Sequence, residues 1–475
     1  MFKVLQPSTP TPTFVSSTVA EPASSDPTTA WSATSAYAAE DQVYVIGTEH
    51  RVYECTLAHQ SLLANTTGTA TITNASPCVV TWGSATQLDG TAVVFSTTGA
   101  LPAGLTVGTT YYIKNRSGTT FNLTATYGGT TLINTTSAGS GTHTCKAAST
   151  LPSERLTGTD PLWLDLGPVN RHAMFDSFIS TGTQQTAGHT VTISNASPGV
   201  VSWTAHGLPN GSSLTLSTTG ALPTGLTAGT TYYVVNAATN TFQLSATLGG
   251  SAINTSSAGS GTHTAIADLC VVVSPGICNG VATMGVTGVS SVKCEMFNGS
   301  SLVYTQTLTV DNTFISDWYM YFFEPYAISR DLLFGPLPPY PSATVKLTFT
   351  PTSAGVTVEC GAALYGNTVE LGIVGYGAKS GITDYSRKET DNFGITTLVQ
   401  RGFSKHTSYT LQVENSQLPR VFSTLTALRA IPAVWVATDD SNFTALNVFG
   451  YPKDWAVDVA YYDYSSLTLE IEGML

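Results

Sequence analysis

The chain reads as a mainly β, multidomain protein: a discontinuous small β-module, two inserted β-repeats, a β-sandwich and a C-terminal β-rich domain with one helix. Three observations predict this. A long segment is duplicated, since Thr71-Ile-Thr-Asn-Ala-Ser-Pro77 through Gly139-Ser-Gly-Thr-His-Thr144 returns as Thr192-Ile-Ser-Asn-Ala-Ser-Pro198 through Gly259-Ser-Gly-Thr-His-Thr264. Short Thr-, Val- and Tyr-rich runs recur between Gly, Pro and Asn punctuation, as strands between turns do. A helical period appears convincingly once, at Leu418, Val421, Phe422, Leu425 and Leu428, all on one face of a 3.6-residue turn.

In chain order, residues 1–30 are rich in Pro, Ser and Thr, a composition expected of an extended arm lying along a neighbouring subunit. From Trp31 the pattern changes: Asp41-Gln-Val-Tyr-Val45 and Arg51-Val-Tyr-Glu-Cys55 alternate as a short meander. Its closing strand returns only after the first repeat, as Pro161-Leu-Trp-Leu-Asp-Leu-Gly-Pro168, so the module is split over 31–63 and 150–168. The repeats occupy 69–146 and 190–266. Trp82 matches Trp203 and Tyr111 matches Tyr232, each 121 positions further on, until a one-residue deletion near Ser251 makes the offset 120. A near-duplicate pair implies a portable unit. Strands are expected at Thr110-Tyr-Tyr-Ile-Lys114 and Thr231-Tyr-Tyr-Val-Val235, and turns at Leu101-Pro-Ala-Gly-Leu105 and Leu222-Pro-Thr-Gly-Leu226, because Pro fixes φ and Gly accepts positive φ. Trp82 and Trp203 are the expected core anchors.

The second repeat interrupts a further domain, 169–188 and 267–378. Its runs Cys270–Val273, Val292–Met296, Leu302–Tyr304, Ala343–Phe349 and Val356–Cys360 suggest a jelly-roll-like sandwich. Aromatics crowd at Trp318-Tyr-Met-Tyr-Phe-Phe-Glu-Pro-Tyr326, as a ligand face, a core or a subunit contact would have them. Residues 379–475 form the C-terminal α+β domain, with strands at Ser408–Glu414, Ala433–Ala437 and Ser466–Glu472 around the helix, which Pro432 ends.

Composition narrows the function. Charged residues make up 10% of the chain, against about 25% in an average soluble domain, so the surface is built from Ser, Thr, Asn and Gly, as in stacked subunits. With 18 Lys and Arg and a net charge of −12, a nucleic-acid groove is not expected, because phosphate binding rests on clustered cations. The N-terminal residues lack the apolar segment of a signal peptide and no apolar run spans a bilayer, so folding in a cytoplasm without membrane insertion is expected. Cys55, Cys78, Cys145, Cys270, Cys278, Cys294 and Cys360 are scattered without CxxC spacing and are expected as buried free thiols.

Three stretches carry a resemblance. Trp31, Tyr37, Asp41 and Val43 in the spacing W-x5-Y-x3-D-x-V, followed by Tyr53 and Trp163, resemble the chitin-binding-type carbohydrate module of chitinases and phage tail proteins. That resemblance implies sugar stacking on Trp31, Tyr37, Tyr53 and Trp163; the alternative is that these rings form the small core. The chain departs from the family at Glu40, where the Gly-Asp pair reads Glu-Asp, and in the insertion between Gln60 and Leu151. The repeats resemble Ig-like modules of phage structural proteins. Gly167-Pro-Val-Asn-Arg-His-Ala-Met-Phe-Asp176 is similar to the linker after this module in tailed-phage tail proteins, and the C-terminal residues Asp384–Gly394 and Arg401–Ser404 are similar to the end of the same proteins. Together these imply a tail-tip or baseplate protein of the virion, assembled in the host cytoplasm as a homo-oligomer with other tail proteins, and in contact with a host cell-surface glycan. A dedicated glycan-binding adhesin is the alternative.

No catalytic, cofactor or metal residues are assigned. Asp439, Asp440, Asp454, Asp458, Glu324 and Asp331 are the available carboxylates, and are expected as solvated or turn-capping acids. The eight histidines lack ligand spacing. His143 and His263 hold equivalent places, which predicts a hydrogen bond closing the last strand of each repeat. Gly372-Ile-Val-Gly-Tyr-Gly377 lacks the Lys of a phosphate loop.

Overall fold

The computed structural model describes the chain apart from residues 9–12, 20, 24, 34, 46–48, 62–65, 84–86, 148, 158–160, 177–181, 187, 205, 207, 209, 311–329, 354–355, 391–395, 439–440, 460 and 475. The aromatic run 318–326, Glu324, Asp439 and Asp440 therefore lie outside the described residues. The fold is mainly β with one α-helix among the described residues, Leu418–Ala427. It divides into two compact units, Glu21–Val169 and Met1–Ala20 with Asn170–Leu475.

In the Glu21–Val169 unit, the split module forms from strands Gln42–Val45, Arg51–Cys55 and Trp163–Pro168, with the short pair Ala36–Tyr37 and His59–Gln60. The expected closing strand is in place: Trp163 pairs with Cys55. The first repeat is inserted between His59–Gln60 and the closing strand. It is a closed barrel rather than two separate Ig-like sheets. The reason is its last strand, His143–Ala147, which pairs with Thr66–Ile72 on one side and Ala92–Thr97 on the other, so both edges are used and no gap remains between sheets.

The second repeat, in the other unit, closes in the same order, with His263–Ala267 between His189–Ile193 and Ser213–Thr218. Both Leu-Pro-x-Gly-Leu turns place their Gly at positive φ, Gly104 at 111° and Gly225 at 107°. A Cβ there would lie 2.2 Å from Asn134 O and 2.4 Å from Asn254 O respectively, so the turn requires Gly for space as well as for φ. His143 Nδ1 lies 2.9 Å from Thr97 Oγ1, and His263 Nδ1 the same distance from Thr218 Oγ1, the strand-closing bond expected from their equivalence.

One difference between the repeats is informative. Trp82 is fully buried and its ring fills the space over Gly68, where a Cβ would come within 2.5 Å of Nε1. The equivalent position in the second repeat is His189, whose ring stacks on Trp203 at 5.0 Å and 16°. The imidazole takes the room that the indole has in the first copy. Trp203 is accordingly only half-buried against its core, a departure from the fully packed anchor expected.

The body of the larger unit corrects the reading of residues 1–30. Phe2–Pro7 is an interior strand, between Ala362–Val374 and Ala433–Val436, and Thr13–Ser17 pairs with Leu269–Ser274. Phe2, Val4 and Leu5 are buried. The Pro- and Thr-rich composition of the surrounding residues masked a short apolar run, and the energy comes from partners far along the chain.

The boundary expected at 378 is also bridged. Ala362–Val374 pairs with Gly280–Met284, with Phe2–Pro7 and, through Ile373↔Gln412 and Val374↔Leu411, with Phe403–Glu414. The ladder Ala362–Val374, Phe2–Pro7, Ala433–Val436, Val448–Asp458, Tyr464–Gly473 and Phe403–Glu414 thus closes on itself. Its core holds Phe2, Tyr409, Trp435, Leu467 and Leu469 together with Val421, Leu425 and Leu428 of the predicted helical stripe. Phe422, expected on that stripe, is exposed and meets Trp455 edge-on at 4.7 Å. The five strands expected in the sandwich are all present; Leu269–Ser274, Thr344–Pro351, Val289–Asn298 and Ser301–Thr309 line up in one antiparallel sheet.

Candidate functional site

The four aromatics of the split module meet in its centre. Tyr37 and Trp163 contact edge to face at 5.2 Å, and His59 meets Trp163 at 5.1 Å and 89°. Trp163 Nε1 donates to Thr150 O at 2.9 Å. The Tyr37 hydroxyl accepts from Ser32 N at 2.7 Å, and that of Tyr53 donates to Glu49 at 3.0 Å. Burial, reinforced by Glu49, holds the Tyr53 phenol well above its usual range.

Relative exposure is 5% for Tyr37 and 1% each for Tyr53 and Trp163. A sugar ring needs an uncovered aromatic face, so the expected stacking role of these three is corrected: they are core. Trp31 is half-buried against the same cluster. Sequence placed the rings in one module but not their orientation, because alternation is too short in two- to five-residue strands to fix a face.

Glu40, which departs from the Gly of the resembled family, has φ of 73°, the left-handed region that favours Gly. The backbone at Glu40 thus adopts a conformation that glycine favours. Its N–H donates to Cys55 O at 2.7 Å, which holds the turn.

Proximity also creates a pair that sequence reasoning did not single out. Cys55 Sγ lies 3.7 Å from His59 Nδ1. A nucleophilic thiol needs a lowered pKa and access. Here burial pushes the Cys55 thiol up to about 11 and the His59 imidazole down, and both side chains point at Leu57 O, at 3.3 Å and 2.7 Å. The pair is a neutral packing contact.

The remaining candidates serve structure. Asp331 accepts from Gly285 N at 3.2 Å and Asp454 from its neighbour Trp455 N at 2.8 Å, as turn-capping acids do, and Asp458 is exposed. All seven cysteines are buried and free, as expected. In the Gly167–Asp176 stretch, Asn170 clasps Gln184 by two bonds, Nδ2 to O at 2.7 Å and N to Oδ1 at 2.8 Å. Arg171 lies 4.9 Å over the Phe14 ring, Met174 is fully buried and Phe175 stacks on Tyr365. Asn170, Arg171, Met174 and Phe175 of this run thus each have a packing task.

No helix among the described residues is long and apolar enough to cross a membrane. Comparison with protein-family models found no match, and comparison with curated proteins found none either.

Proposed function

We propose that this chain is a structural component of a tailed-bacteriophage tail tip or baseplate, working as a homo-oligomer among other tail proteins and presenting peripheral modules towards the host surface. The observation that carries the reading is how the two barrels are inserted. In each, the first and last strands are paired neighbours, Thr66–Ile72 with His143–Ala147 and His189–Ile193 with His263–Ala267. The chain therefore leaves its host element and returns at one place, and the module adds surface without disturbing what carries it.

Two near-identical insertions, one in the split module and one in the larger unit, suit a protein whose work is display and assembly. The low charge and the tail-like Gly167–Asp176 run point the same way. The dedicated adhesin reading loses its basis in Trp31, Tyr37, Tyr53 and Trp163, since three of the four are core.

The test is to raise antibodies against the Glu21–Val169 unit, identify the proteins of purified virions from the encoding phage by mass spectrometry, and label the particles with gold. Gold at the distal tail supports the proposal. Absence of the chain from virions, or label on the head, overturns it.

A further inference from the structure

One cavity of the larger unit has a lining unlike the rest of this weakly charged molecule. Its volume is about 510 Å³, within the roughly 300–1,000 Å³ of small-ligand sites. Lys3, Glu370 and Thr368 line it from two neighbouring strands, with Lys3 paired directly to Glu370. Asn279 and Pro336 border it from the loops, and Arg420 reaches it from the first turn of the helix. Two of the 18 Lys and Arg residues of a chain with net charge −12 thus converge on one hollow.

We infer that this cavity is a binding site for a saccharide bearing a carboxylate. Arg420 supplies a planar donor fork that matches a carboxylate, and Lys3 adds a point charge. Against these, Glu370 brings the local balance to one positive charge, which suits a singly charged group and opposes a compact polyanion such as phosphate. Glu370 is also an acceptor for sugar hydroxyls. Thr368 N donates to Asn279 Oδ1 at 2.6 Å, which fixes the amide so that its Nδ2 serves as a donor at the rim. Pro336 offers an apolar surface for a pyranose face. The site lies outside the split module and rests on this cavity alone, whether or not the tail reading holds.

The experiment uses the full-length protein and saturation-transfer NMR, with a hexasaccharide containing glucuronate, its carboxyl-reduced neutral counterpart, and inorganic phosphate as competitor. The expected result is binding of the glucuronate probe, at least tenfold weaker binding of the reduced one, and no displacement by equimolar phosphate. Arg420→Gln should weaken the glucuronate probe by roughly tenfold or more, the scale of one charge-assisted bond, while Glu370→Gln, which raises the local balance to two positive charges and keeps an acceptor oxygen, should not weaken it and should let phosphate compete. Arg420 is exposed, so its substitution leaves folding intact, which an unchanged melting temperature verifies. No binding of the glucuronate probe, equal binding of both sugars, or an unaffected Arg420→Gln variant overturns the inference. Virion labelling is independent of all three outcomes, so failure here and failure of the tail assignment are told apart.

Discussion

At the scale of single residues, two positions show how backbone and space decide identity. Glu40 sits at φ of 73°, a region that costs a non-glycine residue about 1–2 kcal/mol. Glu40→Gly is expected to raise the stability of the Glu21–Val169 unit by about 1 kcal/mol, read as a rise in the urea midpoint with an unchanged slope. Gly68 faces the opposite constraint, since a methyl there would enter the Trp82 ring. Gly68→Ala should cost about 1–3 kcal/mol, the range for overpacking a filled core, whereas His189→Ala at the equivalent place only removes a stacking contact, about 0.5–1.5 kcal/mol. Equal effects of the two substitutions, measured by urea unfolding, would contradict the account of why the indole is buried in one copy and half-buried in the other. Trp163→Ala should unfold the split module, because the ring is fully buried and its Nε1 is satisfied within the core; near-UV dichroism that stays native would instead point to a surface role.

At the scale of elements, the barrels are separable and the N-terminal strand is not. Excising residues 189–267 and bridging the gap with a short Gly-Ser linker should leave the remaining β-structure and cooperative melting in place, because among the described residues the excised strands pair only with each other. Deleting Phe2–Pro7 should open the ring and abolish cooperative melting of the larger unit, since the strand lies between Ala362–Val374 and Ala433–Val436 and pairs with both. What the sequence revealed follows the same division. The repeats, the Gly turns, the split closing strand and the helical stripe are local patterns, legible as spacing and periodicity. The closure of each barrel, the insertion of Phe2–Pro7 and the ring through Ile373↔Gln412 pair residues from 39 to 433 positions apart (412−373, 436−3), and no local period encodes a partner. The cavity between Lys3, Glu370 and Arg420 is invisible in sequence for that reason: its residues become neighbours only once the ladder has formed.

At the scale of the whole molecule, the seven buried thiols report on the integrity of the split module, the first barrel and the sandwich part of the larger unit. Burial pushes Cys55 and Cys278 up to about 11 and Cys145 and Cys294 up to about 12, from an ordinary 9.0. Cys78, Cys270 and Cys360 are raised as well, again mainly by burial. A thiol whose folded value exceeds its unfolded one binds the proton more tightly when folded, so above pH 9 the unfolded chain has released protons that the native chain still holds. Unfolding is then favoured as pH rises. The contribution is complete below pH 9 and is lost progressively towards pH 11–12. The melting temperature should therefore be insensitive to these groups between pH 6 and 8.5 and fall steeply above 9. In the same range a disulfide-exchange reagent should find no reactive thiol on the native protein at pH 8 and all seven in denaturant. A subset reacting at pH 8 at a rate independent of stabilising conditions would show that one of these cores opens on its own. Cys55 lies in the split module, Cys78 and Cys145 in the first barrel, and Cys270, Cys278, Cys294 and Cys360 in or beside the sandwich strands of the larger unit, so which thiols react tells which of these regions has opened.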